Sequence, residues 1–150
     1  MANFFGSASR PQIVSREDTI AAADWFARQP WIDRERMTAG GGSYGGYLAS
    51  LVLGRPHPFK ALIAHAAVYN LYTQYGADYG AEKKRFGEFW DPKQDALNRQ
   101  TSPHFGAPNF RTPTLVIHGA LDYRVPDGQG HAHADALDGH DLGEREGGEH

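Results

Sequence analysis

The stretch Gly41-Gly42-Ser43-Tyr44-Gly45-Gly46-Tyr47 holds a serine inside a G-x-S-x-G frame, with a strand-like lead-in before it and an apolar helical run, Tyr47 to Leu53, after it. Strand, sharp turn and helix in that order are the context in which this frame forms a nucleophile elbow. So tight a turn forces the serine backbone into a strained conformation, and flanking glycines leave room for strand and helix to pass close by. The serine hydroxyl then stands exposed above the sheet. Backbone N–H groups in the first turn of a helix have no acceptor within that helix, and the positive end of the helix dipole favours negative charge. The N–H of Tyr44 therefore stands where an oxyanion would form. Such an arrangement serves acyl transfer; the plainer alternative is a glycine-rich turn with an incidental serine.

The rest of the chain reads as alternating helices and strands. A helix is expected over Ser15 to Arg28, opened by the capping box Ser15-Arg16-Glu17-Asp18, with Ile20, Ala23, Trp25 and Phe26 on a helical period and Pro30 ending it. A strand near Met37 to Gly41 feeds the elbow and a helix follows over Tyr44 to Leu53. Gly54 to Pro58 then breaks the chain before a strand over Ala61 to Ala66. Tyr69 to Trp90 is aromatic and irregular. Asp91 to Gln100 predicts a short helix capped near Asp91-Pro92. Thr114 to Ile117 is the short apolar run of a buried parallel strand, and Gly128 to Leu137 a weak last helix. There is no internal repeat.

The words from Asp24 to Tyr47, DWFARQPWIDRERMTAGGGSYGGY, resemble the catalytic domain of the prolyl oligopeptidase family of serine peptidases. Phe59-Lys60-Ala61-Leu62, His65 to Leu71 (HAAVYNL), Ser102-Pro103 and Thr112 to Pro126 (TPTLVIHGALDYRVP) are similar to further segments of that family in the same order. Several motifs in one order are more specific than any single short pattern. The resemblance runs roughly from Ala2 to Gln129. It implies an α/β fold, a partial α/β-hydrolase with a mostly parallel sheet and flanking helices, acting on peptides through a Ser, Asp, His triad in that chain order. On this reading residues 1–129 form the partial catalytic domain and residues 130–150 a divergent polar tail.

Residue by residue, the resemblance puts the nucleophile at Ser43 and the triad acid at Asp122, just beyond the Thr114 to Ile117 strand. Active residues of parallel sheets sit beyond the carboxyl ends of the strands, which agrees; the ordinary alternative for Asp122 is a turn or capping residue. In the family the histidine follows a last core strand in a loop that reads E-G-H. Here the chain ends Glu146-Gly147-Gly148-Glu149-His150, so His150 is the matching base, although Gly130 to Gly148 contains no apolar run for that strand. His118 is expected to pack near the strand end, His65 to be structural and His104 to lie in a loop. His131, His133, Asp135, His140 and Asp141 are of ligand types that suit zinc, but a tail rich in such residues reads more simply as solvated. No metal and no cofactor is assigned. Tyr72, Tyr75, Tyr79, Phe86, Phe89 and Trp90 are candidates to roof the site, with ordinary packing the plainer account for most.

A net charge of −3, a pI near 6.2 and the lone basic triplet Lys83-Lys84-Arg85 give no electrostatic case for nucleic acid. No apolar stretch is long enough to span a bilayer and no leader stands at the amino end, so the cytoplasm is the default compartment. The absence of cysteine excludes a thiol nucleophile. With 150 residues, 18 glycines and a mean hydropathy of −0.58, the composition sits poorly with a complete, tightly packed sheet, and the resemblance implies that the early strands of such a domain, including the loop with the second oxyanion donor, are absent. Met1 to Ser9 resembles a point midway through the family domain, with Phe4 and Phe5 departing from it. Exposed strand edges then predict self-association and little hydrolase activity. The alternatives to a peptidase are an esterase using the same triad and a catalytically dead binding fragment.

Overall fold

In the computed structural model, which describes residues 11–77, 88 and 90–146, three parallel strands stand side by side in chain order. They are β1 (Thr38–Gly42), β2 (Ala61–His65) and β3 (Thr114–Ile117). Gly42 pairs with His65 and His65 with Ile117, so all three strands end level at their carboxyl edge. Helix α1 (Pro11–Phe26) precedes the sheet and α2 (Tyr44–Leu53) joins β1 to β2. The crossover from β2 to β3 carries α3 (Leu71–Gln74), α4 (Pro92–Thr101) and a 3₁₀ segment (Pro103–Asn109), and α5 (Gly128–Glu146) closes the described chain.

Alternation along the strands sorts their side chains to two faces. Leu62 and Ala64 are buried, and with Ala39 they meet the helices. The larger core cluster joins Leu53 of α2, Leu62 of β2, Tyr69 and Phe110, with Ala136 and Leu137 of α5 packed against it. A second cluster of Tyr47, Leu51 and Leu71 ties α2 to α3, and the Tyr47 hydroxyl donates to the carbonyl of Thr101 at 2.6 Å. On the other face Ile63, Leu115 and Ile117 are exposed. The sheet thus has one covered and one bare face among the described residues, whereas parallel sheets are normally covered on both.

Three local expectations need correction. Helix α1 begins at Pro11, so Ser15 lies inside it rather than at a cap, and its carbonyl accepts from the Thr19 hydroxyl at 2.7 Å. The helix ends at Phe26, before Pro30, and of Ile20, Ala23, Trp25 and Phe26 only Ala23 is buried. Helix α5 continues to Glu146, well beyond Leu137, and crosses the division drawn at residue 129. Gln129, Gly130 and His133 are buried and Ala136 and Leu137 pack against the core, while His131, Ala132, Asp135, Asp138 and Gly139 are exposed, which accounts for the polar composition of that part of the helix. At α4 the expectation is met: Asp91 caps the helix, its carboxylate accepting from the Lys93 N–H at 2.9 Å.

Candidate active site

Ser43 is the single residue between the last of β1 and the first of α2. Its φ of 54° and ψ of −114° put a side-chain-bearing residue in a region that costs it energy. The glycines explain how so sharp a reversal closes. A methyl on Gly41 would lie 2.6 to 2.9 Å from the backbone of Gly45, and one on Gly46 would lie 2.5 Å from the carbonyl oxygen of His65. A methyl on Gly45 would meet nothing, so it is the backbone of Gly45, approached by Gly41, that needs the space. Serine at a helix N-cap ordinarily turns its oxygen back onto the helix. Ser43 makes no such side-chain bond, and it is exposed.

Asp122 lies five residues beyond β3, at the same carboxyl edge. With β2 between them and strands 4.7–4.9 Å apart, the exits of β1 and β3 are separated by about 10 Å. The Asp122 Oδ1 accepts from the N–H groups of Arg124 at 3.0 Å and Val125 at 2.9 Å. The turn role considered for this aspartate is therefore real, and it occupies only one carboxylate oxygen. His150 lies outside the described residues, as do Tyr79, Phe86 and Phe89.

Tyr44 opens α2, and its hydroxyl donates to Ser15 Oγ at 3.3 Å. His65 is exposed; its structural part is played by its backbone carbonyl, which accepts from Ser43 N–H at 2.9 Å. The next residue, Ala66, also has a positive φ, 44°, and its N–H donates to Ile117 at 2.8 Å. Strained backbone thus occurs at the carboxyl ends of two neighbouring strands, and nothing in the residue type of Ala66 signals it.

The remaining histidines divide between core and surface. His118 donates from Nε2 to the carbonyl of Val125 at 2.7 Å, which fixes that tautomer and leaves Nδ1 a buried acceptor with no partner among the described residues. His133 has no exposed surface, stacks on Tyr69 with ring centres 4.7 Å apart, and has neither nitrogen hydrogen-bonded among the described residues. Burial pushes its pKa down to about 4. His131 is exposed, so this pair is split between solvent and core, and no group of three or more ligating side chains is arranged for a metal among the described residues. His104 bonds Ser102 Oγ through Nδ1 at 2.7 Å. Burial, then the nearby Arg99 charge, lowers its pKa.

Of the roof candidates, Tyr72 donates to Asp95, whose other oxygen accepts from Arg99 at 2.8 Å, and burial together with that carboxylate pushes the Tyr72 hydroxyl up to about 12. Tyr75 donates to Glu88, the chief reason its hydroxyl is also raised to about 12. Trp90 is exposed, edge-on to Tyr75. A cleft of about 420 Å³ lined by Leu53, His57, Arg111 and Thr112 lies at the far end of α2 from Ser43.

Residues 10–147 match the model of the prolyl oligopeptidase family. The chain belongs to that family. It is 37% identical over 125 residues to dipeptidyl-peptidase 5 of Porphyromonas gingivalis, covering 79% of this chain and 18% of that protein. The fold is similar to an acylaminoacyl peptidase of Pyrococcus horikoshii, with a TM-score of 0.77, 32% identity and coverage of 90% of this chain and 22% of that one. An acylaminoacyl peptidase in complex with Z-Gly-Gly-Phe-chloromethyl ketone gives the same TM-score and coverages at 33% identity. The parallel sheet with its flanking helices is therefore α/β-hydrolase architecture, and the chain spans about a fifth of the length of these relatives.

Proposed function

We propose that this chain carries the acylation centre of a serine peptidase, with Ser43 as nucleophile, Asp122 as the acid and His150 as the base. The observation that carries the reading is the exposed, left-handed Ser43, whose hydroxyl is not used to cap the helix it precedes. His150 takes the hydroxyl proton as Ser43 Oγ bonds to a peptide carbonyl carbon, and Asp122 steadies the imidazolium. The backbone N–H of Tyr44, at the positive end of α2, shares the oxyanion charge. Collapse of the tetrahedral species expels the amine with the proton from His150, and water then releases the acyl group. Peptides as substrates are favoured by the family and by relatives described as dipeptidyl and acylaminoacyl peptidases.

A fluorophosphonate probe tests the nucleophile directly. Covalent labelling of the full 150-residue chain at Ser43, absent in Ser43→Ala, is expected; an unreactive wild-type serine overturns the assignment. Faster turnover of aminoacyl nitroanilides than of nitrophenyl esters, scaled to each substrate's uncatalysed rate, separates peptidase from esterase. We also propose self-association of this chain through the bare sheet face, where Ile63, Leu115 and Ile117 leave apolar surface that a second copy would cover.

A further inference from the structure

The loop that carries Asp122 is held by two side chains from outside it, the buried Gln74 and the half-buried His118. The N–H groups of Arg124 and Val125 donate to Asp122 Oδ1. Their carbonyls accept in turn: that of Arg124 from Gln74 Nε2 at 2.7 Å, that of Val125 from His118 Nε2 at 2.7 Å. Gln74 is 2% exposed, and its own amide oxygen faces Gln129 Nε2 at 3.4 Å. Gln129, 3% exposed, accepts through Oε1 from the N–H groups of Tyr69 at 3.0 Å and Asn70 at 2.7 Å, and donates through Nε2 to the Asn70 carbonyl and to Thr73 Oγ1, each at 3.0 Å.

A buried amide this fully bonded has one orientation, because reversing either glutamine would set donor against donor and acceptor against acceptor. The chain of contacts runs without a break from the segment after β2, through Gln129 and Gln74, to the peptide groups that grip Asp122. We infer that Gln74 is a positioning residue. Oriented by Gln129, it holds the 122–125 turn so that one oxygen of Asp122 is tied to the backbone and the other is left for the base. Gln74 does not touch the reacting atoms; it acts through Asp122, and this inference rests on the acid role given above to Asp122.

The test uses the full 150-residue chain. Gln74→Met keeps length and apolar bulk and removes the donor. Amide hydrogen exchange at Arg124 and Val125 is expected to speed up about tenfold or more while β2 amides stay unchanged. Fluorophosphonate labelling is expected to slow about tenfold, with the midpoint of its pH profile displaced to lower pH, since a loosened carboxylate stabilises the imidazolium less. A merely structural glutamine would lower the yield of folded protein without moving that midpoint. Unchanged exchange, or unchanged labelling rate and midpoint, overturns the inference. Should wild type not label at all, the peptidase reading fails and the exchange data still decide the brace by themselves. If Gln74→Met does not fold, His118→Phe removes the other brace and is read on the same two amides with the same expected changes.

Discussion

The N–H of Ser43 donates to the carbonyl oxygen of His65 at 2.9 Å, one step past the last Gly42–His65 pair of the β1–β2 ladder. The same oxygen is the atom that a methyl on Gly46 would strike at 2.5 Å. One carbonyl therefore sets both the height of Ser43 above the sheet and the approach of α2. Gly46→Ala is expected to cost about 1–3 kcal/mol by overpacking and to slow fluorophosphonate labelling, because the first turn of α2 must move off β2. Urea unfolding alongside labelling kinetics checks both.

The two motif glycines are expected to differ sharply. Gly41→Ala collides with the Gly45 backbone and should destabilise by about 1–3 kcal/mol. Gly45→Ala meets open space inside a helix and should be neutral or stabilise by about 0.5 kcal/mol through its lower conformational entropy cost. Thermal melts of the two variants should place Gly41→Ala below wild type and Gly45→Ala at or above it.

His133 predicts an acid-sensitive fold. Its folded pKa lies near 4 against an ordinary 6.5, so the folded state keeps the ring neutral while the unfolded chain takes up a proton as pH falls through 6.5. Stability from this site is complete above pH 6.5 and is lost progressively down to about pH 4, in all about 3 kcal/mol. His133→Phe, which retains a ring against Tyr69 and Phe110, should flatten the melting temperature across that window. A wild-type melting temperature independent of pH between 6.5 and 4 would contradict the argument.

Asp122→Asn separates the turn role from the acid role. The amide oxygen still accepts from Arg124 and Val125, so stability should change by less than about 1 kcal/mol. Labelling at Ser43 should slow at least about a hundredfold, because an amide cannot stabilise the imidazolium. Equal labelling of variant and wild type would remove Asp122 from the mechanism.

Leu115→Lys with Ile117→Lys puts charge on the bare face without touching the core. Sedimentation of this variant as monomer, where wild type forms larger species, is the expected result; identical sedimentation would place any association elsewhere.

The three strands, helix α2 and the Asp91-capped helix α4 were legible in the sequence, since apolar runs, glycine frames and an Asp-Pro start are local signals. Family membership was legible for a different reason: several words keep one order from Asp24 to Pro126. Helix α1 begins earlier than the sequence suggests because Ser15 and Asp18 imitate a capping box while the helix is already under way. Histidine content gave no hint that His133 would be a core ring and His131 a surface one. Gln74 and Gln129 carried no sequence signal, since glutamine is ordinarily a surface residue.

The amino-acid order by itself determined the strand, the strained serine turn and the helix after it, because each depends on φ, ψ and side-chain bulk within a few residues. Only the tertiary structure decided that β2 stands between Ser43 and Asp122, which strand face is left bare, and that Gln74 reaches the carbonyl of Arg124, 50 residues away. Those outcomes depend on which distant groups must satisfy one another once water is excluded, and no local pattern records that pairing.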